Sequence, residues 1–310
     1  MSTPSSILSD DSVESNDEDA DSDAPTRTYI RIKPATDSLE ARTVCGQFRR
    51  LQQIARSETS GGIFGWFQSR SLPTLEFLLV SETTASDSLT YYVGIDDQDA
   101  VEELERVLRS VFPNSYEFER VEWQPDRLID ASKTSPNEDV GESASVAGVE
   151  FEGRVERRRD WQTTLAPFEE FTNADDENHA RVPLTAVVET MAERDVAMVY
   201  QALLRPKLDW TAALEDRRLD IEMNIDTLGG RLANTVFGSP DESNPSLSPG
   251  NEKRLAELEE KDARRSFVVN ARAVAFDDGG SQTETASQAV RELSSAFSDV
   301  SRTSYEVDSR

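Results

Sequence analysis

Few residues of this chain have the type and spacing that chemistry demands. His179 is the only histidine and Cys45 the only cysteine. A Ser-His-Asp or Cys-His device could therefore rest only on that one imidazole, and neither an internal disulfide nor a cysteine-based zinc site can form. His179 has no companion ligand beside it and reads as a surface histidine. Cys45 reads as a small core residue rather than a reactive thiol. No glycine-rich loop ends in Gly-Lys-Ser/Thr, so no phosphate cradle is expected. The glycine-bearing stretch from Gly229-Gly230 to Gly238 has no lysine and reads as a helix kink with a stop. Asp96, Asp97 and Asp99 lack the turn glycine and closing glutamate of a calcium loop. They read instead as acids complementing a helix N-terminus. The expectation is a chain with no catalytic residue, no cofactor and no metal of its own.

What remains is contact chemistry. Arg154 with Arg157, Arg158 and Arg159, and Arg205 with Lys207, stand at the ends of expected strands; Arg217-Arg218 and Arg264-Arg265 add to them. Two readings stay open. The patches dock acidic partners or nucleic-acid phosphate, or they form ion pairs with carboxylates on the same surface. A second candidate contact is apolar: Ile63, Phe64, Trp66 and Phe67 in a glycine-bearing loop. These either fold back to close the core or stand exposed as an anchor for a partner or a membrane surface.

Charge sets the background for both. The chain has 60 acidic and 33 basic residues, for a net charge of −27. Eight acids fall in the first 26 residues, which hold no lysine or arginine. The remainder still carries 52 acids against the same 33 basic residues, a net −19, so the acidity belongs to folded surface. Lysine is scarce, five against 28 arginines. Such a surface suits molar salt, where the Debye length shrinks to about 3 Å and like-charge repulsion costs little; the source is expected to be a salt-in halophile. No apolar run approaches the ~18 residues of a membrane span, and no signal peptide opens the chain. A soluble protein is expected, cytoplasmic or peripheral at the membrane.

The elements that must position these residues follow from periodicity. Residues 1–26, rich in Ser, Asp and Glu, are expected to be a disordered acidic tail. Thr28 to Lys33 reads as a strand, and Ser38 to Arg56 as a helix with Val44, Phe48, Leu51 and Ala55 on one stripe. Leu75–Val80 is an apolar run too short for a helix. Leu89, Tyr91, Val93 and Ile95 alternate as a half-buried strand does. Val101, Leu104, Leu108 and Val111 form a helical stripe, and Tyr116–Trp123 returns as a strand. Residues 27–124 thus read β-α-β-β-α-β, the ferredoxin-like order.

A linker is expected at 125–148. The same order then repeats over 149–310: strands at Val149–Val155, Asp195–Leu204, Ser266–Phe276 and Thr303–Val307, and helices from Pro183 and from Thr283 to Phe297. A helical insertion at about 207–263 interrupts it. Within the insertion Trp210, Leu214, Ile221, Ile225 and Leu228 fit one helix, and Asn251 is expected to cap another running from Glu252 to Arg264. The insertion reads as a partner-binding arm or as a cover for the open sheet face. The expected fold is α+β, with two ferredoxin-like domains in tandem.

Several strings resemble a known family. Thr74-Leu-Glu-Phe-Leu-Leu-Val-Ser-Glu82, Tyr91-Tyr-Val-Gly-Ile-Asp96, Leu104 to Pro113, Tyr116 to Glu122, Arg158-Arg-Asp-Trp-Gln-Thr-Thr164, Val199 to Lys207, Asp216 to Glu222 and Ala263 to Arg272 look like the amino-terminal region of haloarchaeal conjugation and type IV secretion-like ATPases. These belong to the HerA–FtsK superfamily of DNA-pumping motors. The similarity spans roughly 28–310 and includes no catalytic position. In that family a RecA-like motor with its P-loop follows this region, and no such domain occurs in this chain. The resemblance implies a non-catalytic assembly or docking module of a DNA-transfer system, with a motor ATPase or a membrane component of the apparatus as partner. It also implies a possible oligomer through an ATPase ring. The alternatives are a nucleic-acid-binding protein using sheet faces and arginine patches, and a truncated fragment of a motor.

Overall fold

The computed structural model describes residues 27–35, 46, 49–54, 73–81, 89–123, 145–155, 183–194, 196–223, 247–277, 283–297, 300–301 and 305–310. The strands are β1 (Arg27–Lys33), β2 (Leu75–Ser81), β3 (Thr90–Ile95), β4 (Glu117–Trp123), β5 (Ser145–Val155), β6 (Ala197–Pro206), β7 (Phe267–Asp277) and β8 (Tyr305–Ser309). The helices are α1 (Val101–Val111), α2 (Pro183–Glu193), α3 (Thr211–Glu222), α4 (Pro249–Glu259) and α5 (Thr283–Leu293). Residues 49–54 are also helical.

The expected pair of tandem ferredoxin-like domains is not what forms. All eight strands join one sheet in the order β4-β1-β3-β2-β6-β7-β5-β8, every pairing antiparallel. The seam is β2 against β6, in register from Leu75↔Leu204 to Ser81↔Met198. Its physical reason lies in the two strands themselves. As edges of separate sheets, the runs Leu75–Val80 and Ala197–Leu204 would each leave a row of unpaired backbone groups on an apolar strand, which invites aggregation. Pairing them with each other removes both edges.

Alternation along the strands sorts side chains onto two faces. One face meets the helices. There Ile30, Leu75, Leu79, Val93 and Ile95 from the first half and Met198, Tyr200, Leu204, Ala273 and Ala275 from the second share a single core. Leu51, Leu104 and Leu108 cover it at one end, and Val187, Met191, Ala289 and Leu293 at the other. The opposite face has its own buried cluster of Tyr29, Leu78, Val80, Tyr92 and Trp123, against which Val199 of β6 and Phe276 of β7 pack. Both layers therefore cross the seam.

Three boundaries also differ from expectation. β5 begins at Ser145, inside the stretch expected to be a linker. α4 starts earlier than Asn251, because the Ser248 hydroxyl accepts from the Asn251 amide at 3.3 Å and Pro249 fits the first turn. It ends at Glu259 rather than Arg264. α3 closes at Glu222, with Met223 as its C-cap, so the Ile225 and Leu228 of the expected helix lie outside the described residues.

Candidate functional site

The most built constellation lies on the face away from the helices, centred on Glu76. This carboxylate is buried at 5 % exposure in the second position of β2. A buried carboxylate is tolerated only when donors surround it, and donors arrive from both halves. The Tyr29 hydroxyl donates to Glu76 Oε2 at 2.7 Å and Arg27 Nη1 to the same oxygen at 3.3 Å. From the other side Gln201 of β6 donates to Glu76 Oε1, and Arg272 of β7 donates to the Gln201 carbonyl oxygen. Asn270 then donates to Glu150 of β5 at 2.6 Å. These polar contacts lie on β1, β2, β6, β7 and β5, straddling the seam.

Tyr29 reaches Glu76 by crossing β3. Tyr29 pairs with Gly94, and Gly94 pairs with Glu76, so the ring must pass over the glycine. A Cβ added at Gly94 would sit 2.6 Å from Tyr29 Cε1. Glycine is required here for close approach. Tyr29 also meets Trp123 edge-on at 5.7 Å between centroids, and Tyr92 stacks on Trp123 at 5.8 Å. Burial, reinforced by the hydrogen bond to the Glu76 carboxylate, pushes the Tyr29 phenol well above its ordinary pKa. Burial alone pushes Tyr200, on the helix face, up to about 12. Glu76 and Tyr29 are desolvated while Arg27 and Arg272 reach solvent, and the chemistry of the network is that of a clamp between the halves.

The arginine and lysine candidates fall elsewhere. Arg154 is exposed on β5 and pairs with Asp308 of β8 at 2.7 Å. Arg205 is exposed at the end of β6, opposite Val268. Arg154 and Arg205 reach the same end of the sheet on strands separated by β7. Lys207 instead turns onto Trp210, its ammonium 4.4 Å from the ring centroid, and burial lowers its pKa. Arg157, Arg158, Arg159, Ile63, Phe64, Trp66, Phe67, His179 and Cys45 lie outside the described residues. The two neighbouring arginine pairs divide: Arg217 is 1 % exposed while Arg218 is exposed and bonds Glu222 at 2.8 Å. Arg264 approaches Asp209 at 3.7 Å.

Among the described residues no group of three or more His, Cys, Asp or Glu could hold a metal ion. Asp97 caps the short helical turn Gln98–Ala100 by accepting from the Asp99 amide at 3.0 Å, and Asp96 accepts from the Thr74 amide at 2.7 Å. A groove of about 370 Å³ runs along the β4 edge. Its cations are matched: Arg31 with Glu119, Lys33 with Glu117 at 3.5 Å, and Arg109 with Glu105 at 2.8 Å and over the Phe118 ring. The bonds from Arg120 and Arg109 hold the Glu105 carboxyl below its usual range.

Sequence reasoning passed over the Glu76 network, although two signals pointed to it. One is an acid inside the otherwise apolar run Leu75–Val80. The other is a glycine in the interior of a strand, at Gly94.

No family model and no curated protein matches this chain. Similar solved structures include a chitooligosaccharide oxidase, at 8% identity and a TM-score of 0.31, covering 91% of this chain and 46% of that one. Another is a glycopeptide hexose oxidase complexed with teicoplanin, at 10% identity and a TM-score of 0.32, covering 91% of this chain and 44% of that one. The chain thus spans less than half the length of either oxidase. At these scores the likeness bears on neither fold nor activity. No helix among the described residues is long and apolar enough to cross a membrane.

Proposed function

We propose that this chain is a non-catalytic docking module of a DNA-transfer ATPase system, holding a motor or membrane component of the apparatus in register from the cytoplasmic side. The strings that resemble the amino-terminal region of conjugation and type IV secretion-like ATPases support the choice of system. The insertion carries the docking half of the reading. α3 and α4 pack on each other at the end of β6 and β7, tied there by Lys207 N to Ser266 O at 2.8 Å and Trp210 N to Ala263 O at 3.3 Å. Leu219 on α3 and Met223 at its end are exposed, as is Leu208 in the segment that leads into α3.

The nucleic-acid alternative is less well supported. On the sheet face away from the helices Arg27, Arg31, Lys33 and Arg154 sit beside carboxylates, Arg205 and Arg272 are exposed, and the rings of Tyr29, Tyr92 and Trp123 are buried at 7 % exposure or less. Phosphate affinity needs cations that can release counterions. The test is sedimentation of the chain with a P-loop ATPase of the HerA–FtsK class in molar potassium chloride. A stable complex with no duplex DNA bound is the expected result; DNA binding without motor binding would reverse the order of the two readings.

A further inference from the structure

The α3–α4 hairpin buries charged groups among its apolar residues. Trp210 just before α3 and Arg217 and Ile221 on it are buried, and so are Asn251, Arg254, Glu257 and Leu258 on α4, which packs against it. Arg217 is 1 % exposed and Arg254 5 %. On the far side Leu219 is 50 % exposed and Met223 45 %, with Leu208 at 73 % on the approach to the helix. Isolated surface leucines are ordinary. Arg217, Arg254 and Glu257 taken out of water while Leu219 and Met223 stay in it are not, because both choices oppose the stability of the hairpin alone. Local violations of this kind concentrate where a chain has a second task.

The exposed positions have a shape. Ala212, Asp216, Leu219 and Met223 follow at helical spacing on one side of α3, all exposed, with a small residue that lets another helix come close. Asp216 lies within this stripe, Glu215 is exposed beside it, and Arg218 is engaged by Glu222. The face therefore combines apolar anchors with acids. Resting on the docking reading above, we propose that the outer face of α3 binds an amphipathic helix of a protein partner, with leucine-type anchors and a lysine- or arginine-bearing flank. Helix-in-groove recognition uses anchors at this spacing. A second copy of this chain would bring Glu215 and Asp216 against themselves, and an anionic membrane surface would meet the same acids.

The test uses the full chain in molar potassium chloride. The probes are a helical peptide of about 18 residues made of alanine, leucine and lysine, with leucines on one stripe, and its counterpart with glutamate for lysine. The readout is the ε-methyl NMR signal of Met223, which needs no variant. The lysine peptide should shift that signal at a concentration roughly threefold lower than the glutamate peptide, and the gap should widen at lower salt. Leu219→Glu with Met223→Glu, both at exposed sites, should weaken binding, read by fluorescence of a dye on the peptide, about tenfold or more. Glu215→Lys with Asp216→Lys should weaken it by roughly threefold, more at lower salt. Val146→Glu, at a 60 % exposed site on β5, should leave it unchanged. An unmoved Met223 signal, equal binding of both peptides, or a Met223 shift produced by the chain's own concentration would each overturn the proposal. If Met223 stays silent while the chain still sediments with the motor, docking stands and occurs elsewhere; if both fail, the docking reading goes too.

Discussion

The β2–β6 seam and the α3–α4 hairpin handle polar groups in opposite ways. At the seam a buried acid, Glu76, is met by donors from Tyr29, Arg27 and Gln201, and the apolar residues around it are covered on both faces. In the hairpin Arg217, Arg254 and Glu257 are buried beside Ile221 and Leu258, while Leu219 and Met223 stay exposed. The seam satisfies its own requirements within the chain. The hairpin satisfies its backbone and leaves an apolar side for something else. Stability and interaction thus occupy different parts of the molecule, which allows each to be perturbed without the other.

The largest effect is expected at the seam. Leu79 is 3 % exposed and lies opposite Tyr200 across it. Leu79→Ala should cost about 2–5 kcal/mol, and the loss should appear as one shifted transition in calorimetry. Two transitions, with only one shifted, would mean that the halves fold independently.

Gly94→Ala comes next, at about 1–3 kcal/mol, since the new Cβ strikes the Tyr29 ring. In a Tyr29→Ala background the same change should cost nothing or stabilise by about 0.5–1 kcal/mol, as a strand glycine is then replaced without a clash. Additive costs in chemical denaturation would show that the ring does not lie over Gly94.

Alkaline pH probes the helix-side layer of the seam, where Tyr200 lies. Tyr200 keeps its proton in the folded state up to about pH 12, above its ordinary value near 10. Its contribution is complete below pH 10 and is lost as pH rises from 10 toward 12, because only the unfolded chain releases that proton there. Tyr200→Phe should therefore remove part of the downward slope of stability in that window, up to about 1.4 kcal/mol per pH unit. An unchanged slope would mean that the hydroxyl is hydrated.

The smallest effect should be Arg154→Ala. Its pair with Asp308 is largely exposed, at 62 % and 43 %, so a change of about 0.2–1 kcal/mol that fades with salt is expected in thermal denaturation. A larger loss would make that corner of the sheet a structural site.

How much of this was written in the sequence depends on the length scale. β1, β3 and α1 follow from alternation and from the Val101, Leu104, Leu108 stripe. Sheet faces follow as well, because side-chain direction has period two. What no periodicity contains is which edges meet. The run Leu75–Val80 reads as a buried strand, but burial between two strands of one sheet and burial under a separate layer leave the same apolar signature. Glu76 passed unremarked in that run because its donors, Tyr29 and Gln201, come from 47 residues before it and 125 after it. Arg217 was misleading for the complementary reason. Beside Arg218 it reads as half of a basic surface pair, yet it occupies the stripe set by Leu214 and Ile221.

Hydrogen exchange by mass spectrometry, on the free chain and with the lysine peptide bound, tests the contrast between seam and hairpin most directly. Peptides from β2 and β6 should exchange together, near the global unfolding free energy, and should not respond to the peptide. Peptides from α3 should exchange faster in the free chain and slow when the peptide binds. Independent exchange of β2 and β6, or an α3 as protected as the seam before any partner is added, would contradict the account.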